Sequence, residues 1–331
     1  MKRFMNDPKN FVTEVLAGVA AANPNTLRHV PEYNLIVRAD APVSGKVAII
    51  QGSGSGHEPA HVMNVGRGML DVACPGDVFA APPLDYVSEA IRRVATDRGV
   101  LLLVNNYTGD RMVFEMAQEV ADADGITAEL LFIDDDVAVE NSTFTIGRRG
   151  VAGNFFVIKA VGAAAESGKE LAEVKAIGER VNANVRSLGV ALTACTPPAK
   201  GEPLFELGAG EIEFGVGIHG EPGRRREALR PARELIREMV DTIVADKPFE
   251  RGSRVAVMIN GLGATPISEL YLLYGHAAEC LVEAGITIDK SYVGNYCTAL
   301  DMAGASVSVL ELDDEISALL DAPAAAAVPA V

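Results

Sequence analysis

Three side chains in this sequence combine reactive chemistry with a setting that would present it to a small molecule: His57, Asp110 and His219. His57 follows Gly52-Ser53-Gly54-Ser55-Gly56, where three glycines in five residues let the backbone turn sharply and approach a ligand closely. His219 stands in Ile218-His219-Gly220-Glu221-Pro222-Gly223, the same punctuation in the other half of the chain. A neutral imidazole is both base and nucleophile near pH 7. An isolated histidine is usually structural, but two in matching glycine-flanked strand ends point to a site. Asp110 ends Asn105-Asn106-Tyr107-Thr108-Gly109-Asp110 and opens a helix. There it either caps free N–H groups or orients an imidazole and accepts a proton from a substrate hydroxyl. His29 and His276 read as structural, and His61 as a supporting neighbour of His57 or no part of the site.

Other chemistries fit these residues less well. A dinucleotide fingerprint fails because the sixth position of G-x-G-x-x-G, counted from Gly52 or Gly54, holds His57 or Pro59. His57, Glu58 and His61 spell H-E-x-x-H, yet zinc hydrolysis needs that motif inside a regular helix, and here it straddles a glycine loop and a proline. Asp134-Asp135-Asp136 suggests a Mg²⁺ cluster, although a solvated strand-to-helix turn is the simpler reading. The near P-loop Gly162–Glu170 has one residue too many and no preceding strand, and is rejected. A tight turn with a surface histidine is the bland alternative for the glycine loop. The remaining reading is a small-ligand loop.

The elements that must hold these groups alternate strand and helix, which argues a largely parallel α/β sheet. Val47–Gln51 reads as a buried strand entering the glycine loop, with Pro59 in the first turn of a following helix. Phe11–Ala22 and Asp85–Asp97 carry helical stripes, and Val100–Val104 is an apolar run typical of a strand covered on both faces. A helix after Asp110 turns Met112, Val113, Met116, Ala117 and Val120 inward, and Leu130–Ile133 is the next strand. His57 and Asp110 thus fall at one edge of one sheet, where open α/β sheets place ligands. Helices over Asn154–Ser167 and Lys169–Leu188 follow. The second half offers strands at Val190–Cys195, Glu211–Ile218, Arg254–Asn260, Ile288–Val293 and Val307–Leu312. An amphipathic helix carries Leu229, Leu235, Ile236, Met239, Val240 and Ile243, and another ends at Glu283. The expected fold is therefore two α/β domains, 1–188 and 189–331, each with a predominantly parallel or mixed sheet flanked by helices. Ala322–Val331 reads as a frayed tail.

Composition narrows the partners. With 29 basic and 45 acidic residues the net charge is −16, which argues against nucleic acid and anionic membrane. No apolar run approaches a spanning helix and no signal-peptide core opens the chain. Cys74, Cys195, Cys280 and Cys297 are widely spaced and read as free thiols in a cytoplasmic protein.

Taken together, GSGSGHEPAH, GMLD with GDVFAAP, NNYTGD, GRRGVAG, GVGIHGEPG and NGLGATP with ELY resemble the substrate-binding (DhaK-type) subunit of the dihydroxyacetone kinase family, from about Lys2 to Pro323. The resemblance implies a homodimer of two-domain α/β subunits. It implies that His219 bonds through Nε2 to a ketone carbonyl carbon as a covalent hemiaminal. It assigns substrate contacts to Gly54, Ser55, Gly56, His57, Asn105 and Asp110, with His57, Asp110 and His219 as the catalytic set and no metal on this chain. Two positions depart from the family pattern. Asn105 stands where a lysine usually contacts substrate, which opens the choice of ketose to erythrulose and its like, and Ser53 stands where glycine is usual.

The resemblance also implies a partner, since no nucleotide site is legible here. A helical nucleotide-binding (DhaL-type) subunit would carry ATP, or ADP recharged by a phosphotransferase system, with Mg²⁺ held there. The expected activity is a phosphotransferase acting on the alcohol of a small ketose. The alternative is a ketone-binding coactivator paralogue that catalyses nothing.

Overall fold

The computed structural model describes residues 3–138, 147–247 and 249–327. Two six-stranded sheets organise it. The first runs Leu27–Val30, Leu35–Arg38, Val72–Ala73, Ala48–Gly52, Val100–Asn105, Ala128–Ile133. Its last four strands are parallel and its first two antiparallel. Val100–Asn105 is buried at every position, as its unbroken apolar run requires of a strand covered on both faces. The second sheet runs Arg225–Ala228, Glu211–Phe214, Val185–Ala191, Gly304–Glu311, Arg254–Gly261, Thr287–Gly294, and only its last pair is parallel. The α/β class with mixed sheets is as expected.

Helices fill three layers around these sheets. Helices α1 (Phe11–Ala22), α2 (Leu84–Val94) and α3 (Thr108–Ala123) belong to the first half, and α2 and α3 cover one face of its sheet. Helices α4 (Asn154–Glu166) and α5 (Leu171–Asn184) form a middle layer. One apolar cluster joins Ile49, Leu103 and Ile133 of the first sheet, Phe156 and Val161 of α4, Val181 of α5, and Met258 and Leu310 of the second sheet. Helices α6 (Ala232–Asp246) and α7 (Ile267–Glu283) close the far face of the second sheet, and α8 (Asp314–Asp321) packs on α4. Residue 188, where the domains were expected to divide, lies inside the strand Val185–Ala191. The core passes without a break from one sheet to the other.

Several local expectations change. No α-helix follows Pro59; the chain turns and forms only a short 3₁₀ turn at Val62–Asn64. Helix α3 buries Phe114, Ala117 and Ala121, while Met112 and Met116 are exposed, because the sheet meets a face rotated from the one its apolar residues suggest. Leu229 precedes α6 and is exposed. The strand expected over Glu211–Ile218 stops at Phe214, where Gly215 takes a φ of +83°. Of Asp134–Asp136 only Asp134 is exposed. Buried Asp135 accepts from Val151 N and Gly153 N, and buried Asp136 pairs with the fully buried Arg149 at 2.6 Å. The tail docks as far as Ala325–Ala326, which pair with Gly66–Arg67, and residues 328–331 of the expected fray lie outside the described residues.

Candidate active site

The strand Ala48–Gly52 delivers Ser53 to His57 to the carboxyl edge of the first sheet, against the segment Gly76–Ala81. A β-carbon at Gly54 would sit 2.6 Å from Phe79 Cα, and one at Gly56 would sit 2.9 Å from Phe79 Cε1. Gly56 also takes a φ of +96°. These positions need glycine for space and conformation together. Phe79 itself holds a φ of +60°, a strained backbone for a bulky residue and one that surrounding structure must enforce. Its ring stacks on His57 with centroids 5.0 Å apart.

The second half pins the same loop from the opposite side. Thr298 N donates to His57 O, Thr298 Oγ1 donates to Glu58 O, and Leu300 N donates to Gly56 O. His57 Nδ1 lies 2.7 Å from Thr298 O, and a carbonyl only accepts, so Nδ1 carries the proton. Nε2 is left with its lone pair, buried and without a partner among the described residues. Burial, reinforced by the neighbouring His219, pushes the His57 imidazole well below its ordinary value, so it stays neutral.

His219 is brought to the same place by the loop after Phe214. Its ring centroid lies 4.7 Å from that of His57, 4.5 Å from Tyr107 and 5.4 Å from Phe79. Glu221 accepts from His219 Nδ1 at 2.9 Å and from the His219 backbone N–H at 3.0 Å, which again leaves Nε2 as the open ring nitrogen. Burial pushes the Glu221 carboxyl up, but His219 and then Arg149 outweigh it and hold it at about 2. Glu221 is therefore a fixed anion at neutral pH.

Asp110 sits in the first turn of α3, buried, with Ser53 Oγ donating to Oδ2 at 3.3 Å and Oδ1 without a partner among the described residues. Burial pushes its carboxyl up to about 7, although His219 and the Ser53 hydroxyl pull the other way. A cleft of about 780 Å³ opens between the halves, lined by Ser53, Gly54, Tyr107, Asp110, His219 and Glu221 among others, with Lys200 and Leu204 at the second half's wall. A carboxyl poised near neutrality and an anion-oriented imidazole thus face one cleft, with a neutral imidazole packed behind them.

Not every expected contact lies on that cavity. Ser55 and Gly56 shape the loop from behind, Ser55 Oγ donating to Gly76 O at 2.7 Å. His57 is wholly buried and touches the cleft through the rings of Phe79 and His219. Asn105 ends its strand fully buried, its Oδ1 accepting from Gln51 Nε2 at 3.4 Å, and is not part of the lining. His61 supports that layer, its Nδ1 lying 2.7 Å from Gln51 Oε1. Glu58 Oε1 accepts from Gly56 N, so His57, Glu58 and His61 each turn to a separate partner and the zinc pattern has no geometry behind it. Among the described residues no group of three metal-ligating side chains comes together.

The sequence reading missed Glu221, Tyr107, Phe79 and Thr298. Glu221 had a signal, a carboxylate two residues after a histidine in one glycine-rich loop. Phe79 and Thr298 had none, because their role comes from contacts across the fold.

The fold and the site define an α/β protein whose two halves close on one cleft with two histidines and a carboxylate. Residues 17–328 match the model of the Dak1 domain, and the chain belongs to that family. It is 48% identical over 315 residues, 95% of each chain, to the PTS-dependent dihydroxyacetone kinase 1, dihydroxyacetone-binding subunit DhaK, of Listeria innocua. Among solved structures it is similar to the dihydroxyacetone kinase of C. freundii, with a TM-score of 0.87 and 35% identity over 98% of this chain and 60% of that one. It is also similar to the dihydroxyacetone kinase operon co-activator Dha-DhaQ, with a TM-score of 0.89 and 32% identity over 94% of this chain and 96% of that one. Among the described residues no helix is long and apolar enough to cross a membrane.

Proposed function

We propose that this chain is the substrate-binding subunit of a dihydroxyacetone (glycerone)-type kinase, capturing a short-chain ketose and presenting its terminal hydroxyl for phosphorylation. The observation that carries the reading is the convergence of Asp110 and His219, from the two halves of the chain, on one cleft, with His57 packed directly behind the His219 ring. The names of its relatives supply the substrate class.

Capture begins with His219. Glu221 holds the Nδ1 proton and directs the Nε2 lone pair at the ketone carbon. As the C–N bond forms, the carbonyl π pair moves to oxygen, which takes up a proton, and the positive charge on the ring is offset by the Glu221 carboxylate until Nδ1 releases its proton. The product is a neutral hemiaminal with nothing lost but the carbonyl. Glycerol has no carbonyl and is refused. The tether then converts the following step into an oriented, effectively unimolecular one.

Transfer uses the first half. As the terminal hydroxyl oxygen bonds to phosphorus and the donor's P–O bond breaks, Asp110 accepts the hydroxyl proton, and the neutral Nε2 of His57 accepts a hydrogen bond that orients the alcohol. The donor belongs to a helical, DhaL-type partner subunit carrying ATP, or ADP recharged by a phosphotransferase system, with Mg²⁺ bound there. A cytoplasmic homodimer completes the reading.

The test is intact-mass spectrometry of the chain incubated with dihydroxyacetone or erythrulose and trapped. The expected result is a gain of one ketose, abolished in His219→Ala. No gain with any ketose overturns the reading. Adding the partner and donor then separates kinase from coactivator, since a coactivator keeps the adduct and transfers nothing, and the ketose that gives the faster transfer identifies the substrate.

A further inference from the structure

Ser53 stands in the glycine loop, fully buried at the wall of the cleft. Its backbone is pinned by Gly76 N, which donates to Ser53 O at 2.9 Å. Its Oγ donates to Asp110 Oδ2, while Asp110 Oδ1 is left buried. A carboxylate held at one oxygen by a hydroxyl is fixed in plane, and its other oxygen is unclaimed among the described residues. A carboxylate oxygen can only accept when ionised, so the Ser53 hydroxyl favours the charged form that catalysis requires.

We propose that Ser53 is a positioning residue for the proton-accepting carboxylate: its hydroxyl fixes the plane of Asp110 through Oδ2 and reserves Oδ1 for the terminal hydroxyl of the ketose. The inference rests on the kinase reading above and adds a member to that site. Burial alone would leave Asp110 protonated over much of the neutral range. The ionisable groups that face it are His219 across the cleft, which favours the anion, and the thiol of buried Cys74 behind it, with Glu221 and Lys200 on the far wall. Ser53 is the side chain that donates a hydrogen bond to the carboxylate itself. Its deletion is mild for the fold, because Ser→Ala removes one oxygen from a site whose backbone contacts stay.

The experiment is a carboxyl titration of the full-length chain labelled with ¹³C at aspartate Cγ, followed by NMR from pH 5 to 9, with the Asp110 resonance assigned by its loss in Asp110→Asn. Ser53→Ala is expected to raise the Asp110 midpoint by roughly half a unit to one unit, the size of a longish hydrogen bond to a charged group, and Ser53→Thr, which keeps the hydroxyl, to return it toward wild type. Superimposable wild-type and Ser53→Ala curves overturn the proposal, as does a midpoint that Thr fails to restore. Trapping of dihydroxyacetone on the wild-type chain is the separate arm. Its absence overturns the kinase reading, while the titration still judges the Ser53–Asp110 contact on its own.

Discussion

Two buried carboxylates, one from each half, face the same cleft and are driven in opposite directions. Asp110 of the first half has one hydroxyl partner, and burial raises it to about 7. Glu221 of the second half holds both the ring and the backbone N–H of His219, and His219 with Arg149 behind it brings it down to about 2 despite burial. The histidines divide in the same way. His57 is sealed and neutral under Phe79, whereas His219 keeps a carboxylate on one ring nitrogen and opens the other to the cleft. Residue type therefore does not set the role. Number of partners does: the under-satisfied carboxylate can take a proton, and the fully satisfied one can only orient its neighbour.

The largest expected effect breaks the first half and spares the second. Asp110→Asn removes the proton acceptor and is expected to slow phosphoryl transfer by about 10²–10⁴-fold, the usual worth of a positioned base, while the ketose adduct on His219 still forms. Undiminished transfer in the steady-state assay would remove Asp110 from the mechanism. The converse variant, Glu221→Gln, keeps the shape but loses the fixed anion. Adduct formation, followed by intact mass against time, is expected to slow by about 10–100-fold, in line with a hydrogen bond to a charged group. Equal rates would mean that His219 needs no anion behind it. Smaller again is the pH response of transfer in the unmodified protein. Only ionised Asp110 accepts the proton, so the rate is expected to fall with pH below about 7, approaching tenfold per unit, and to level above it. An acid limb near 4 would place Asp110 in solvent.

Much of this arrangement was legible in the chain before any coordinates. The apolar run Val100–Val104 announced a covered strand, and the glycine loop before His57 a tight turn at a strand end, and both are there. His219 was legible because its glycine context repeats that of His57. What could not be read is what depends on the fold closing on itself. The tautomer of His57 is set by Thr298 O, 241 residues away in sequence. Phe79 owes its place to two glycines whose missing side chains it fills. Asn105 was expected at the substrate and is instead held by Gln51 in the layer beneath, because a strand's last residue alternates inward or outward by a register that periodicity alone leaves open. The sheet that the middle helices serve could not be read for a related reason. Helix α4 is buried on all sides, so its uniform hydrophobicity says that it is interior without saying which sheet it serves, and it serves both.

The comparison is sharpened most finely by stability. Burial pushes folded Asp110 up to about 7, against 3.8 for an ordinary aspartate, so between those values the folded state holds the proton that the unfolded state has lost. The stability contributed by its protonated form is complete below pH 4 and disappears as pH rises through 7, leaving a buried charge that costs up to a few kcal/mol. Asp110→Asn removes that cost. The variant that loses transfer is therefore expected to gain stability over wild type at pH 8, and the gain should shrink toward zero as pH falls to 4. Glu221, held at about 2, contributes in the opposite sense, with stability present above its ordinary 4.5 and lost on acidification, and neutral His57 likewise loses stability as pH drops below its ordinary 6.5. Both terms are common to variant and wild type and cancel in the difference between their urea midpoints. That difference isolates the first-half carboxylate: a value that stays constant from pH 4 to pH 8 would show that Asp110 is solvated in the native protein and that the contrast with Glu221 does not exist.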